Sequence, residues 1–107
     1  MTAPDDRSGR MKYLVILHAV DQSRPPDHTA FRRTAQDAGE LVDGHLLADP
    51  SLATVLGSPG APIHACYLLD VDSAARAVEL ASLLPEATRE GAGVDIRPVM
   101  FTAAGDY

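Results

Sequence analysis

The sequence predicts a two-layer α+β domain, with two helices over a four-stranded antiparallel sheet. Three observations carry that expectation. The runs "MKYLVILHA" (11–19) and "IHACYLLDV" (63–71) are short, densely apolar and rich in strand formers. Each is followed by a stretch whose apolar residues recur at helical spacing. A last run, "GVDIRPVMF" (93–101), again has strand composition. A length of 107 residues suits one domain with one modest core.

The opening "MTAPDDRSGR" (1–10) lacks an apolar core and reads as a polar tail ahead of a domain spanning 11–103. The first strand is 11–19, closed by "SRPP". A helix follows the prolines with Asp27 as its N-cap. Phe31, Ala35, Ala38 and Val42 form its inner face, and the Asp-Gly pair at 43–44 ends it. A weak second strand is expected at about 53–57, followed by a turn at 57–62. The third strand is 63–71. Ser73 or Asp72 then caps a helix with Ala74, Ala77, Val78, Ala81 and Leu84 inward, ended by Pro85. In the last strand Pro98 removes a ladder donor, which suits a sheet edge.

The order β-α-β-β-α-β with right-handed crossovers is the ferredoxin-like arrangement. The first and third strands are expected as parallel neighbours at the centre, their C-terminal ends sharing one rim. Both faces of these strands are apolar. Tyr13, Val15 and Leu17 oppose Leu14, Ile16 and His18, while Ala65, Tyr67 and Leu69 oppose Cys66 and Leu68. A sheet covered on one side should alternate instead. The second face therefore calls for a cover, and a second copy of the same sheet is the simplest one, so a homodimer is expected.

Hydrophobic residues make up 46% of the chain and charged ones 22%, as in an ordinary globular domain. A net charge of −6, with scattered arginines, argues against nucleic acid or an anionic membrane as partner. No apolar run is long enough to span a bilayer. The single Cys66 excludes an internal disulfide and suits a reducing, cytoplasmic setting.

The segments "YLLDVDSAARAVELASLLPE" and "VDIRPVM", with "AGELVDGHLLADPSLATVL" before them, resemble the YCII-related family, especially its DGPF branch. The likeness covers about 11–101 and is most specific in "YLLDVDS" and "DIRPVM". It implies a dimeric α+β barrel. Family members of the YciI-like kind carry a histidine near the start of the first helix and an acid just after the first strand, proposed as an active-site pair. The resemblance sets these on His28 and Asp21. The Asp-Gly-Pro-Phe motif itself is absent, and "GSPGAP" (57–62) stands between the second and third strands.

His28 heads the first helix, where the helix dipole disfavours an imidazolium and suits a neutral ring. One helical turn before Phe31, it should look inward. His18 ends the first strand, Asp21 follows it, and Asp70 and Asp72 end the third. A carboxylate that orients one ring nitrogen leaves the other as a base. The alternative is that Asp27 and Asp72 are caps and His28 an exposed helix-start residue. Arg97 shares a face with Asp95, where it would either bind a carboxylate or phenolate or form a cross-strand or inter-subunit ion pair. Tyr13 and Tyr67 either present hydroxyls to a ligand or are core residues. His64 and Cys66, spaced to share a face, make either a thiol–imidazole pair or an inert buried thiol. No H-x-H or H-x-x-x-H spacing points to a metal, and no nucleotide-binding loop is present, so no cofactor is expected. The combined expectation is a cofactor-free acid–base enzyme of lyase, isomerase or cyclase type, acting on a small molecule in catabolism or natural-product chemistry. A non-catalytic binding or accessory subunit using the same cavity is the alternative.

Overall fold

The computed structural model describes residues 10–19 and 27–100. The elements are β1 (Met11–Ala19), α1 (Thr29–Asp37), β2 (Leu41–Leu46), β3 (Ile63–Val71), α2 (Ala74–Ala81) and β4 (Ala92–Pro98), with short 3-10 turns at Pro50–Leu52 and Pro85–Ala87. The sheet order is β2-β3-β1-β4, and every neighbouring pair is antiparallel. This is the ferredoxin-like α+β fold. β1 and β3 occupy the limits expected for them, and β4 lies at an edge with Pro98 as its last residue.

Three expectations about strand direction and element limits are corrected. β1 and β3 run antiparallel: the α1 crossover makes β2 parallel to β1, and the β2–β3 connection then reverses the chain. The end of β1 therefore meets the start of β3, with His18 opposite Ile63, while Asp70 lies far along the strands opposite Lys12. Asp70 pairs there with Arg10 at 3.3 Å, away from His18. Secondly, α1 stops at Asp37, well before the Asp-Gly pair. Gly39 at φ 70° places the Glu40 N–H on the Ala35 carbonyl (2.8 Å) and its own N–H on that of Gln36 (3.0 Å), a Schellman closure. Thirdly, the residues thus released, "LVDGHL", form β2 in place of a strand at 53–57.

One sheet face carries Tyr13, Val15, Leu17, Ala65, Tyr67, Leu69 and Val71, all buried beneath Phe31 and Ala35 of α1 and Ala77, Leu80 and Ala81 of α2. Leu80 replaces the expected Val78, which is exposed. Ser73 is the α2 cap, accepting from the Arg76 N–H at 3.1 Å. The other face holds Leu14, Ile16, Cys66 and Leu68, each only half-buried.

Candidate active site

Asp27 accepts from the Thr29 N–H at 3.0 Å, and hydrogen bonding from the Thr29 side chain and then from this N–H holds its carboxyl below the usual range. The turn leaves His28 as the N-cap residue of α1, without a capping bond from its ring. The imidazole points inward instead and is only 3% exposed. Its two nitrogens are both engaged: Nδ1 lies 2.7 Å from the Tyr67 hydroxyl and Nε2 lies 2.8 Å from Glu86 Oε2. Tyr67 is held from both sides. Phe31 packs on its ring at 4.8 Å between centroids, and Gly44 lies opposite it across the β2–β3 ladder. A Cβ at Gly44 would fall 2.7 Å from Tyr67 Cε1, so only glycine lets the ring lie flat across β2.

Glu86 sits in the turn after α2, where Pro85 starts a single 3-10 turn and aims the acid at the sheet. It is 0% exposed. Its Oε2 accepts from His28 and, at 2.7 Å, from His64 Nε2. Burial works against its ionisation. The bonds from His28, from its own backbone and from His64 outweigh that, and the carboxyl titrates below the ordinary glutamate range. His64 reaches Glu86 because the ladder slips between Leu17 and His18, pairing His18 with Ile63 and leaving His64 unpaired in register. Such a bulge re-aims a side chain. His64 consequently turns to the helix side and stacks on His28, ring centroids 6.2 Å apart, while Cys66 stays on the opposite face across from Ile16. The expected shared face of His64 and Cys66 is corrected by this slip.

Outside this cluster stands a cleft of about 190 Å3, lined by His28, Arg32, Gly44, His45, Leu46 and Tyr67. Burial raises the Tyr67 phenol, with Arg32 opposing and Glu86 adding to the effect, so the hydroxyl rests protonated. In a neutral His28, the Nε2–H donates to Glu86 and the Nδ1 lone pair accepts from Tyr67.

The other expected residues fall elsewhere. His18 is on the uncovered sheet face, with Nδ1 3.3 Å from the Pro62 carbonyl oxygen, and does not join His28. Tyr13 faces the core and its hydroxyl meets Met11 Sδ at 3.5 Å. Arg97 pairs at 2.5 Å with Asp95, its neighbour two residues away in β4 on the uncovered face, and not with a partner across strands. Asp21 lies outside the described residues. The carboxylate seen on His28 is that of Glu86, which sequence reasoning missed. Strict alternation links His64 in sequence only to Cys66, not to His28.

The fold and site define a small ferredoxin-like α+β domain with a buried His–Glu–His cluster that opens through Tyr67 onto a cleft. Comparison with known proteins matches the chain to no family model, no curated protein and no solved structure. Among the described residues no helix is long and apolar enough to cross a membrane.

Proposed function

We propose that the chain is a small-molecule enzyme of lyase, isomerase or cyclase type, in which a Glu86–His28–Tyr67 chain moves a proton at the cleft wall. The observation that carries this reading is the double engagement of His28 between a buried carboxylate and a tyrosine hydroxyl. As a substrate C–H or O–H bond gives its proton to the Tyr67 oxygen, the Tyr67 proton passes to His28 Nδ1. The resulting imidazolium keeps its Nε2–H on the Glu86 carboxylate, which stabilises the charge. Run in reverse, the same chain delivers a proton from Tyr67 to the substrate. Arg32, on the cleft wall, supplies positive charge suited to a small carboxylate or enolate. The likeness to the YCII-related family points to the same histidine, and degradative or natural-product chemistry in the cytoplasm suits such a site.

The test is proton exchange. The protein is incubated in D2O with a panel of small carboxylic acids and cyclic ketones bearing acidic C–H bonds, and loss of the C–H signal is followed by NMR. At least one compound that shifts the Tyr67 or His45 resonances is expected to exchange or convert. Binding throughout the panel with no exchange would contradict catalysis and favour the binding-subunit reading.

The same reading includes a homodimer through the uncovered sheet face. Leu14, Ile16, Cys66 and Leu68 stand there, each only half-buried. Sedimentation at micromolar concentration should give twice the chain mass. Ile16→Asp or Leu68→Asp should yield a folded monomer, because both side chains lie on the uncovered face. Val15→Asp, facing the core, should unfold the chain. A wild-type monomer would remove the dimer from the proposal.

A further inference from the structure

We infer that His28, His64 and Glu86 form a binding site for a divalent transition-metal ion of the zinc class. This goes beyond the acid–base reading, which needs no metal. The three residues come from the start of α1, the bulge of β3 and the turn after α2. Their donor atoms lie within 4.8 Å of one another, and all three are buried. Two imidazoles and one carboxylate are a donor set that holds zinc or a neighbouring divalent ion.

A second observation asks for a cation in this place. Glu86 is wholly buried, and its Oε1 has no hydrogen-bond partner among the described residues. Its ion-pair neighbours there are only His28 and His64. A buried carboxylate oxygen without a partner is costly until a donor or a cation meets it. A dication meets that need, taking the spare Oε1 as its donor from the carboxylate.

The geometry requires a modest closure. Tetrahedral zinc with bonds of ~2.0–2.2 Å sets neighbouring donors roughly 3.3 Å apart, so the imidazoles draw together as the carboxylate rotates. The outer shell is already in place. Metal on Nε2 fixes the His28 proton on Nδ1, which then donates to the Tyr67 oxygen 2.7 Å away. The Tyr67 proton, no longer held by His28, turns toward the cleft. Metal binding would in this way convert Tyr67 from a donor to His28 into a donor to a ligand.

The test uses the full chain, stripped with a chelator and titrated with Zn2+ against a chromophoric competitor, and with Co2+ followed by its absorption. One equivalent should bind, with Co2+ bands of a low-coordinate site, and zinc should shift the ring signals of His28 and His64 but not those of His18 and His45. His64→Ala and Glu86→Gln should each weaken binding by more than the ~10–100-fold of an outer-shell change. His45→Ala should leave it unaltered. The ring shifts are read on the wild-type chain, so the test stands even where a variant folds poorly. No binding at micromolar metal would overturn the inference, as would binding that survives His64→Ala and moves His18 or His45. Proton exchange that persists in chelator while no metal binds would remove the metal site and leave the acid–base reading intact.

Discussion

Glu86→Ala is expected to lower stability by about 3–5 kcal/mol, the range for removing one partner of a buried charged cluster. The loss has two sources. The Nε2–H donors of His28 and His64, both aimed at Oε2, are left without an acceptor in a buried site, and the space of the carboxylate is left unfilled. Glu86→Gln keeps the shape and one acceptor oxygen, so a smaller loss of about 1–3 kcal/mol is expected. The pH dependence separates charge from shape. Glu86 titrates lower in the folded chain than its unfolded value of 4.5, so its contribution is complete above that value. It is lost as pH falls through the lower folded value. The wild-type chain should lose stability on that acid limb in metal-free buffer, and Glu86→Gln should flatten it. Denaturant midpoints between neutral and strongly acidic pH give both results, and an equal acid limb in the two proteins would mean that Glu86 is not ionised in the fold.

His28→Ala is expected to lower proton exchange by about 10^2–10^4-fold, the usual worth of a placed general base. Tyr67→Phe should lose as much, because the proton reaches His28 through the Tyr67 oxygen. The two losses should not add in the double variant, since either break interrupts one chain. His18→Ala should be silent, its ring being on the uncovered sheet face. Initial rates of C–H loss in D2O on the best compound of the panel measure all four. Full additivity in the double variant would show His28 and Tyr67 acting separately.

Much of the fold was legible because its central strands are unusually apolar. β1 and β3 carry so many aliphatic side chains that no other element fits them, and their bounds follow from the polar and proline residues around them. β2 was not legible. "LVDGHL" holds Asp, Gly and His within six residues, and it lies at a sheet edge where few of its side chains are buried. Val42 also continues the helical spacing of Phe31, Ala35 and Ala38, which concealed the stop at Gly39. A single glycine between Ala38 and Glu40 reads as a tolerated helix residue until its positive φ is seen.

The candidate site divides the same way. His28 was legible from its position, one turn before Phe31 at a helix start. Its partners depend on packing between distant segments. Glu86 after Pro85 looks like an ordinary acidic residue in a first helical turn, and only the placement of the α2 end over the sheet buries it. Strict alternation puts His64 on the opposite face, because a one-residue slip in pairing leaves no mark on the sequence. Gly44 carried a usable signal: a glycine inside a strand often marks a close approach, here by the Tyr67 ring.

The central claim is that His28 is a neutral imidazole oriented by Glu86, with its other nitrogen turned to the Tyr67 hydroxyl. Nitrogen-15 spectra of the histidine rings test it most directly, on metal-free protein at neutral pH. The expected result for His28 is a single Nε2–H tautomer, with a pyridine-like Nδ1 whose shift changes in Tyr67→Phe and an Nε2 whose shift changes in Glu86→Gln. A His28 ring that averages between tautomers like a solvent-exposed histidine, and that ignores both substitutions, would contradict it.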